Sequence, residues 1–199
     1  MPTAEPHGGG DWDRNIKEIK SFKHLSRKQL NQYQKGRCPY CGLLLDTRSP
    51  ELEHIAPKGG PVRPQHIEFT FLSINLVLAC RDCNKPERKG TKDTILVKRE
   101  YYSQCEFSIV HPYLDDPNDY FEYIKGRNVD YGIIPKPKTG VSEQKKEKAK
   151  NTIAIFGLDS EGKFFREHKM CFTNLEKKIL SKKQNDRIEA ILSYRYLIP

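Results

Sequence analysis

The sequence predicts an α+β fold stapled by a metal ion, and three observations carry that expectation. A helix signal ends near residue 36, an apolar run of strand length ends on residue 80, and two Cys-x-x-Cys pairs bracket the segment between them. With 199 residues the chain suits one domain of ordinary size plus a small appendage. Hydrophobic residues make up 36% and charged residues 31%, which predicts a modest core under a large polar surface. The net charge of +9 favours polyanions as partners, nucleic acid before acidic membrane, although a basic and inert surface has the same composition.

No run of about 18 apolar residues is present, so no spanning helix is expected. The stretch "MPTAEPHGGGDWDRN" lacks an apolar signal core, so the chain is expected in the cytoplasm with its thiols reduced. Residues 1–25 read as a flexible N-terminal segment and lead-in, rich in Gly and Pro at its start. A helix is expected over 27–35: Ser26 and Gln29 have capping-box spacing, Leu25 and Leu30 fit a hydrophobic staple, and Gly36 closes the far end. "LLLDTRSPELEHIAP" reads as two extended pieces around a Ser-Pro turn, and residues 59–66 as a loop. "FLSINLVLAC" has strand length, and a short helix is expected to begin near Asn84 with Pro86 in its first turn.

The core is expected over 26–100, with 101–199 as a mixed extension packing on it or on a partner. Beyond residue 91 "TILV", "FSIV" and "FEYI" read as short strands or strand-like connectors. "SEQKKEKAKNTIAIFG" reads as a helix with Ala149, Ile153 and Phe156 on one face, ended by Gly157. Leu175, Ile179, Ile188, Ile191 and Leu192 suggest further helical packing, and "DDPND" reads as turn chemistry.

Cys38/Cys41 and Cys80/Cys83 are separated by 38 residues. Each pair lets two thiolates grip one ion from a tight turn, and four sulfurs match tetrahedral zinc. Such a site is structural, because no coordination position stays open. A redox pair is the alternative for one Cys-x-x-Cys, but it gives two pairs no reason to share a frame. Cys105 and Cys171 read as ordinary small residues, Cys105 as a buried one.

Together, "CPYCG", "LEHIAPKGG" and "INLVLACRDCN", with Lys89–Gly90 after them, resemble the HNH endonuclease family in its four-cysteine zinc-knuckle form. The resemblance covers residues 37–90. It implies a ββα-metal fold and hydrolysis of phosphodiester bonds in DNA, with RNA as the other substrate class. It further implies one Mg²⁺ or Mn²⁺ ion held by Glu53 and Asn84, His54 as the general base, and Asn75 bracing the loop that orients the base. Imidazole titrates near neutral pH and a hard divalent ion takes oxygen donors, so these residue types suit those roles. Taken singly, each of the four has an ordinary reading as a surface, strand, turn or cap residue. The family's Lys three residues after the knuckle Asn is Glu87 here, which is a further candidate to face the ion.

Lys58, Arg63, Lys85, Arg88 and Lys89 are candidate phosphate contacts, with a solvated surface as the plain alternative. "HPYLDDPNDYFEY" and "EKAKNTIAIFGLD" resemble small HNH proteins of bacterial anti-phage systems, of the Septu and retron-linked type. That resemblance implies antiviral defence beside a partner ATPase. The non-enzymatic rival is a zinc-stapled nucleic-acid-binding or adaptor module.

Overall fold

The computed structural model describes residues 10–45, 49–58, 66–125 and 133–159. Arg63, Cys171 and the apolar positions expected to be helical from Leu175 to Leu192 lie outside these residues, as do residues 1–9. The chain divides into two compact units, residues 1–40 with 44–115 and residues 41–43 with 116–199. The fold is mixed, with helices and three small two-stranded antiparallel sheets among the described residues.

In the first unit, helix α1 spans Lys17–Tyr33 and is longer than its capping signals suggest. Ser26 lies inside it, and Leu25 is 55% exposed, so neither a cap nor a staple forms there. The reason is visible one turn earlier. Ile19 and Phe22 begin the apolar stripe that Ser26, Leu30 and Tyr33 continue, and no breaker interrupts residues 17–25.

The C-terminus of α1 is closed by a Schellman arrangement. Gly36 N–H donates to the Asn31 carbonyl at 2.8 Å, and Lys35 N–H to the Gln32 carbonyl at 3.1 Å. Lys35 therefore sits in the left-handed region at φ +52°, ahead of Gly36 at +66°. Lys35→Gly is expected to stabilise the fold by about 1 kcal/mol, read as a higher urea midpoint at unchanged slope.

Strand β1 (Glu51–His54) pairs antiparallel with β2 (Leu76–Ala79), with His54 opposite Leu76 and Glu53 opposite Val77. All four residues of β2 are buried. The Gln34 side chain acts as a surrogate strand: its amide nitrogen donates to the Leu78 carbonyl and its oxygen accepts from Leu78 N–H, both at 2.8 Å. Helix α2 (Arg81–Asn84) is one turn long and ends on Asn84, where a helix start was expected. Pro86 explains the reversal: it holds Lys85 extended at φ −66°, ψ 157°, and so stops the helix. Strands β3 (Ile95–Val97) and β4 (Glu106–Phe107) form a second, irregular ladder.

The second unit contains the hairpin β5 (Phe121–Lys125) and β6 (Ile133–Pro137), with helix α3 (Glu143–Phe156) packed on β6. Ser142 caps α3 by accepting from Lys145 N–H, Gly157 closes it at φ +59°, and Ala149, Ile153 and Phe156 are buried. In "DDPND", Asp116 accepts from Asn118 N–H and caps a turn. Three of the α3 lysines pair with acids: Lys145 with Asp119, Lys146 with Glu143 and Lys150 with Glu147. Among the described residues, no helix is long and apolar enough to cross a membrane.

Candidate metal centre and adjoining polar site

The Sγ atoms of Cys38, Cys41, Cys80 and Cys83 lie within 4.8 Å of one another, and all four residues are buried. Thiolates on a tetrahedral zinc at about 2.3 Å stand about 3.8 Å apart, so the cluster needs little closure to hold that ion. The turns that aim the sulfurs are local. Gly42 at φ +71° follows Cys41, and Cys83 and Asn84 both donate backbone N–H groups to the Cys80 carbonyl. Cys80 N–H also points at Cys38 Sγ, at 3.4 Å. Four sulfurs without disulfide partners, packed in a dry interior, can hold a zinc ion.

Alternation along β1 places His54 on one face of the hairpin and Glu51 and Glu53 on the other. His54 is 7% exposed and stands at the strand end, with its Nε2 3.0 Å from the Thr70 carbonyl oxygen. A carbonyl only accepts, so Nε2 carries the proton and the lone pair is on Nδ1. Among the described residues, Nδ1 has no hydrogen-bond partner. Burial lowers the imidazole to about 4; the Lys58 and Lys89 cations add to the shift, and the Thr70 carbonyl opposes it. The ring is therefore neutral at pH 7. The Trp12 indole packs edge-on against it, at 4.3 Å between ring centroids, and Phe22 and Phe71 complete an aromatic cluster.

That shift has a sign that can be tested. The folded state refuses a proton that the unfolded chain takes up below about 6.5, so stability falls as pH drops from about 6.5 towards 4. The loss approaches about 3 kcal/mol. His54→Gln is expected to flatten that part of the pH–stability curve, measured by urea denaturation at pH 7.5, 5.5 and 4.5.

Asn75 is fully buried and uses every hydrogen bond its amide can make. Its Oδ1 accepts from Ala56 N–H at 2.7 Å and from Tyr102 O–H at 2.9 Å. Its Nδ2 donates to the Ala56 carbonyl at 3.1 Å and the Phe69 carbonyl at 3.0 Å. Asn75 thus fixes the chain two residues beyond His54. The network continues to His111, whose Nδ1 accepts from Tyr113 N–H and Leu114 N–H, so its Nε2–H donates to the Tyr102 hydroxyl at 3.0 Å. Sequence reasoning missed Tyr102, one of two adjacent tyrosines, and His111, which opens the stretch "HPYLDDPNDYFEY", because no short-range spacing ties either of them to Asn75.

The opposite face of the hairpin departs from expectation. Glu53 is 4% exposed and bonded to the Lys89 ammonium at 2.9 Å and the Tyr40 hydroxyl at 2.9 Å. Burial raises its carboxyl, while Lys89 and Tyr40 pull the other way. Lys89 is fully buried and also donates to the His54 carbonyl at 3.2 Å. It is therefore an internal cation, not the phosphate contact expected of it. Gly90 makes this fold-back possible: a Cβ there would stand 2.9 Å from Pro86 Cα, and its φ is +43°.

Asn84 donates to Glu51, at 2.7 Å, and not to Glu53. Glu51 was not singled out in the sequence, although it lies two residues from Glu53 and so on the same face. Glu87 is exposed, and its carbonyl accepts from Lys92. Of the remaining expected phosphate contacts, Lys58 pairs with Asp13, Lys85 is 40% exposed and 3.7 Å from Asp82, and Arg88 is half-buried.

Fold and site together define a mixed α+β protein with a buried four-thiol centre able to hold zinc, beside a polar network around one neutral histidine. The sequence matches no protein-family profile. Over 79 residues, 40% of this chain, it is 32% identical to Protein ea31 of Escherichia phage lambda, and that match covers 21% of the phage protein. The chain thus matches about a fifth of that protein's length.

Proposed function

We propose that the chain is a metal-dependent HNH-type endonuclease acting on DNA, with His54 as general base. The observation that carries this reading is the fixed His54 tautomer. Thr70 holds Nε2–H, burial keeps the ring neutral, and the Nδ1 lone pair is left to take a proton from a water attacking a phosphodiester. Asn75 positions the ring by bracing Ala56 on both sides of its peptide.

A hard divalent ion would supply charge stabilisation at the phosphate and leaving oxygen. The residues fit such an ion in part. Glu51 and Asn84 offer oxygen donors side by side, but on the hairpin face opposite His54, and Glu53 is already balanced by Lys89. The step that belongs to this chain's own residues is the proton transfer at His54. A place beside a partner ATPase in anti-phage defence belongs to the same proposal and rests on the sequence resemblance alone.

Supercoiled-plasmid cleavage in Mg²⁺ or Mn²⁺ tests the reading. Wild type is expected to give open-circle or linear DNA, and His54→Ala to lose about 100-fold or more in rate at unchanged zinc content. The second reading, a zinc-stapled binding module, is favoured by the Trp12 ring over His54 and the ion-paired Glu53. DNA binding without cleavage under every metal tried would select it.

A further inference from the structure

A groove of about 310 Å³ opens in the first unit between the C-terminal half of α1 and the segment entering β2. Tyr33 and Tyr113 pack edge to face at one side of it, with ring centroids 5.7 Å apart and planes at 63°, and Leu30, Ile74 and Leu76 give it an apolar wall. Tyr113 is pinned, because its hydroxyl donates to the Leu76 carbonyl at 2.8 Å. Tyr33 is 72% exposed, so this large ring lies open to water at the groove mouth. The polar lining is uncharged: the hydroxyls of Ser26 and Ser73 and the amide of Gln29.

The groove's position matters as much as its lining. Leu76 lines it and is the residue paired with His54, and paired residues project their side chains from the same face of a hairpin. The imidazole and the groove therefore share a face. Along α1, the stripe that carries Phe22 beside Trp12 continues through Ser26 to Tyr33, a rise of about 17 Å.

We propose that this groove binds an unstacked base of single-stranded DNA beside the proposed cleavage site. The proposal rests on the nuclease reading and names the form of its substrate. A flat, uncharged heteroaromatic ring matches the exposed Tyr33 ring for stacking and the apolar wall for burial, with Ser26, Ser73 and Gln29 near for the donors and acceptors on a base edge. At this size the groove takes one ring system and is at the small end for a ligand site.

The phosphates have a matching flank on α1, where Lys20, Lys23 and Arg27 lie beside the stripe through Ser26, while Lys17 and Lys28 face away from it. Lys23 lies three residues before Ser26 on the same stripe and sits over the Trp12 ring at 4.7 Å. Partial burial lowers its ammonium, with Asp13 opposing the shift and the like charges of Lys58 and Arg27 adding to it. A base in the groove and a backbone along this flank bring uncharged and anionic parts of one strand to matching surfaces.

The test uses the full chain carrying His54→Ala, so that cleavage does not consume the probe. Its affinity for a fluorescein-labelled oligothymidine and for a duplex of equal length is measured with and without Tyr33→Ala. Tyr33 is exposed enough for the variant to fold, and circular dichroism confirms this. Tyr33→Ala is expected to weaken single-strand binding about 5- to 100-fold and duplex binding far less. Tyr33→Trp should restore it. The salt slope should stay unchanged, because no phosphate contact is removed.

Equal losses on both DNAs, or no loss on either, overturn the proposal and leave the groove to an apolar side chain of a protein partner. Wild-type cleavage of plasmid and of a single-stranded DNA circle scores the other reading separately. Tyr33-dependent single-strand binding without any cleavage keeps the base site and removes the nuclease, and cleavage without Tyr33 dependence does the reverse.

Discussion

Replacing Asn75 with leucine is expected to lower the stability of the chain by about 3 to 5 kcal/mol, at the high end for a single substitution. Leucine fills similar space but offers no polar atom. Ala56 N–H, the Ala56 and Phe69 carbonyls and the Tyr102 hydroxyl would all lose a partner inside a dry core. One buried group without a partner costs about 1–3 kcal/mol. The four losses do not simply add, because the Phe69 carbonyl keeps Leu72 N–H, the Tyr102 hydroxyl keeps His111, and the loop can relax. Urea denaturation measures the total. A double-mutant cycle with Tyr102→Phe should return a coupling of about 1 kcal/mol or more, since the two side chains share a hydrogen bond. A loss under 1 kcal/mol for Asn75→Leu would mean that the network does not hold the loop after His54.

Removing the metal is expected to have a still larger effect. Zinc binding to small modules contributes on the order of 10 kcal/mol of apparent folding energy. Here the four thiols tie the first knuckle, Cys38 and Cys41, to the residues at the end of β2, Cys80 and Cys83. Without the ion, four thiolates in a dry cluster repel one another, and as thiols they keep only weak contacts. A strong chelator, or Cys80→Ser, should therefore abolish the cooperative unfolding transition of the first unit. Metal analysis should find about one zinc per chain before treatment and none afterwards. A chain that stays folded and metal-free at the same midpoint would show the cluster to be a plain thiol core.

How much of this was legible in the sequence depends on how local each signal is. The cysteine cluster was readable because metal geometry leaves few spacings, and Cys-x-x-Cys is one of them. Ser142, Gly157 and the buried stripe of α3 were readable because caps and periodicity act within a few residues. The capping-box spacing at Ser26 and Gln29 misplaces the start of α1, because such spacing is easily met by chance. The stripe from Ile19 was the better guide. Lys89 shows the deeper limit. A lysine in a basic run looks like a phosphate contact, and only the long-range return of the chain to Glu53 makes it an internal cation. Asn84 likewise lies near the hairpin but bonds Glu51, because strand register sets Glu51 opposite Ala79 at the entry to α2 while Glu53 on the same face is taken by Lys89 and Tyr40.

The arrangement around His54 also gives the chain an optical gauge. Trp12 is the one tryptophan in the sequence, it is 6% exposed, and its indole lies against the imidazole. Its emission therefore reports on that corner of the molecule with no background from other indoles. While the aromatic cluster is closed, the emission should be blue-shifted and shielded from iodide. Any nucleic acid that reaches His54 has to move the indole, shifting the spectrum to the red and opening it to the quencher. Engagement of the site can thus be followed in unlabelled protein, in real time, whether or not a bond is cut.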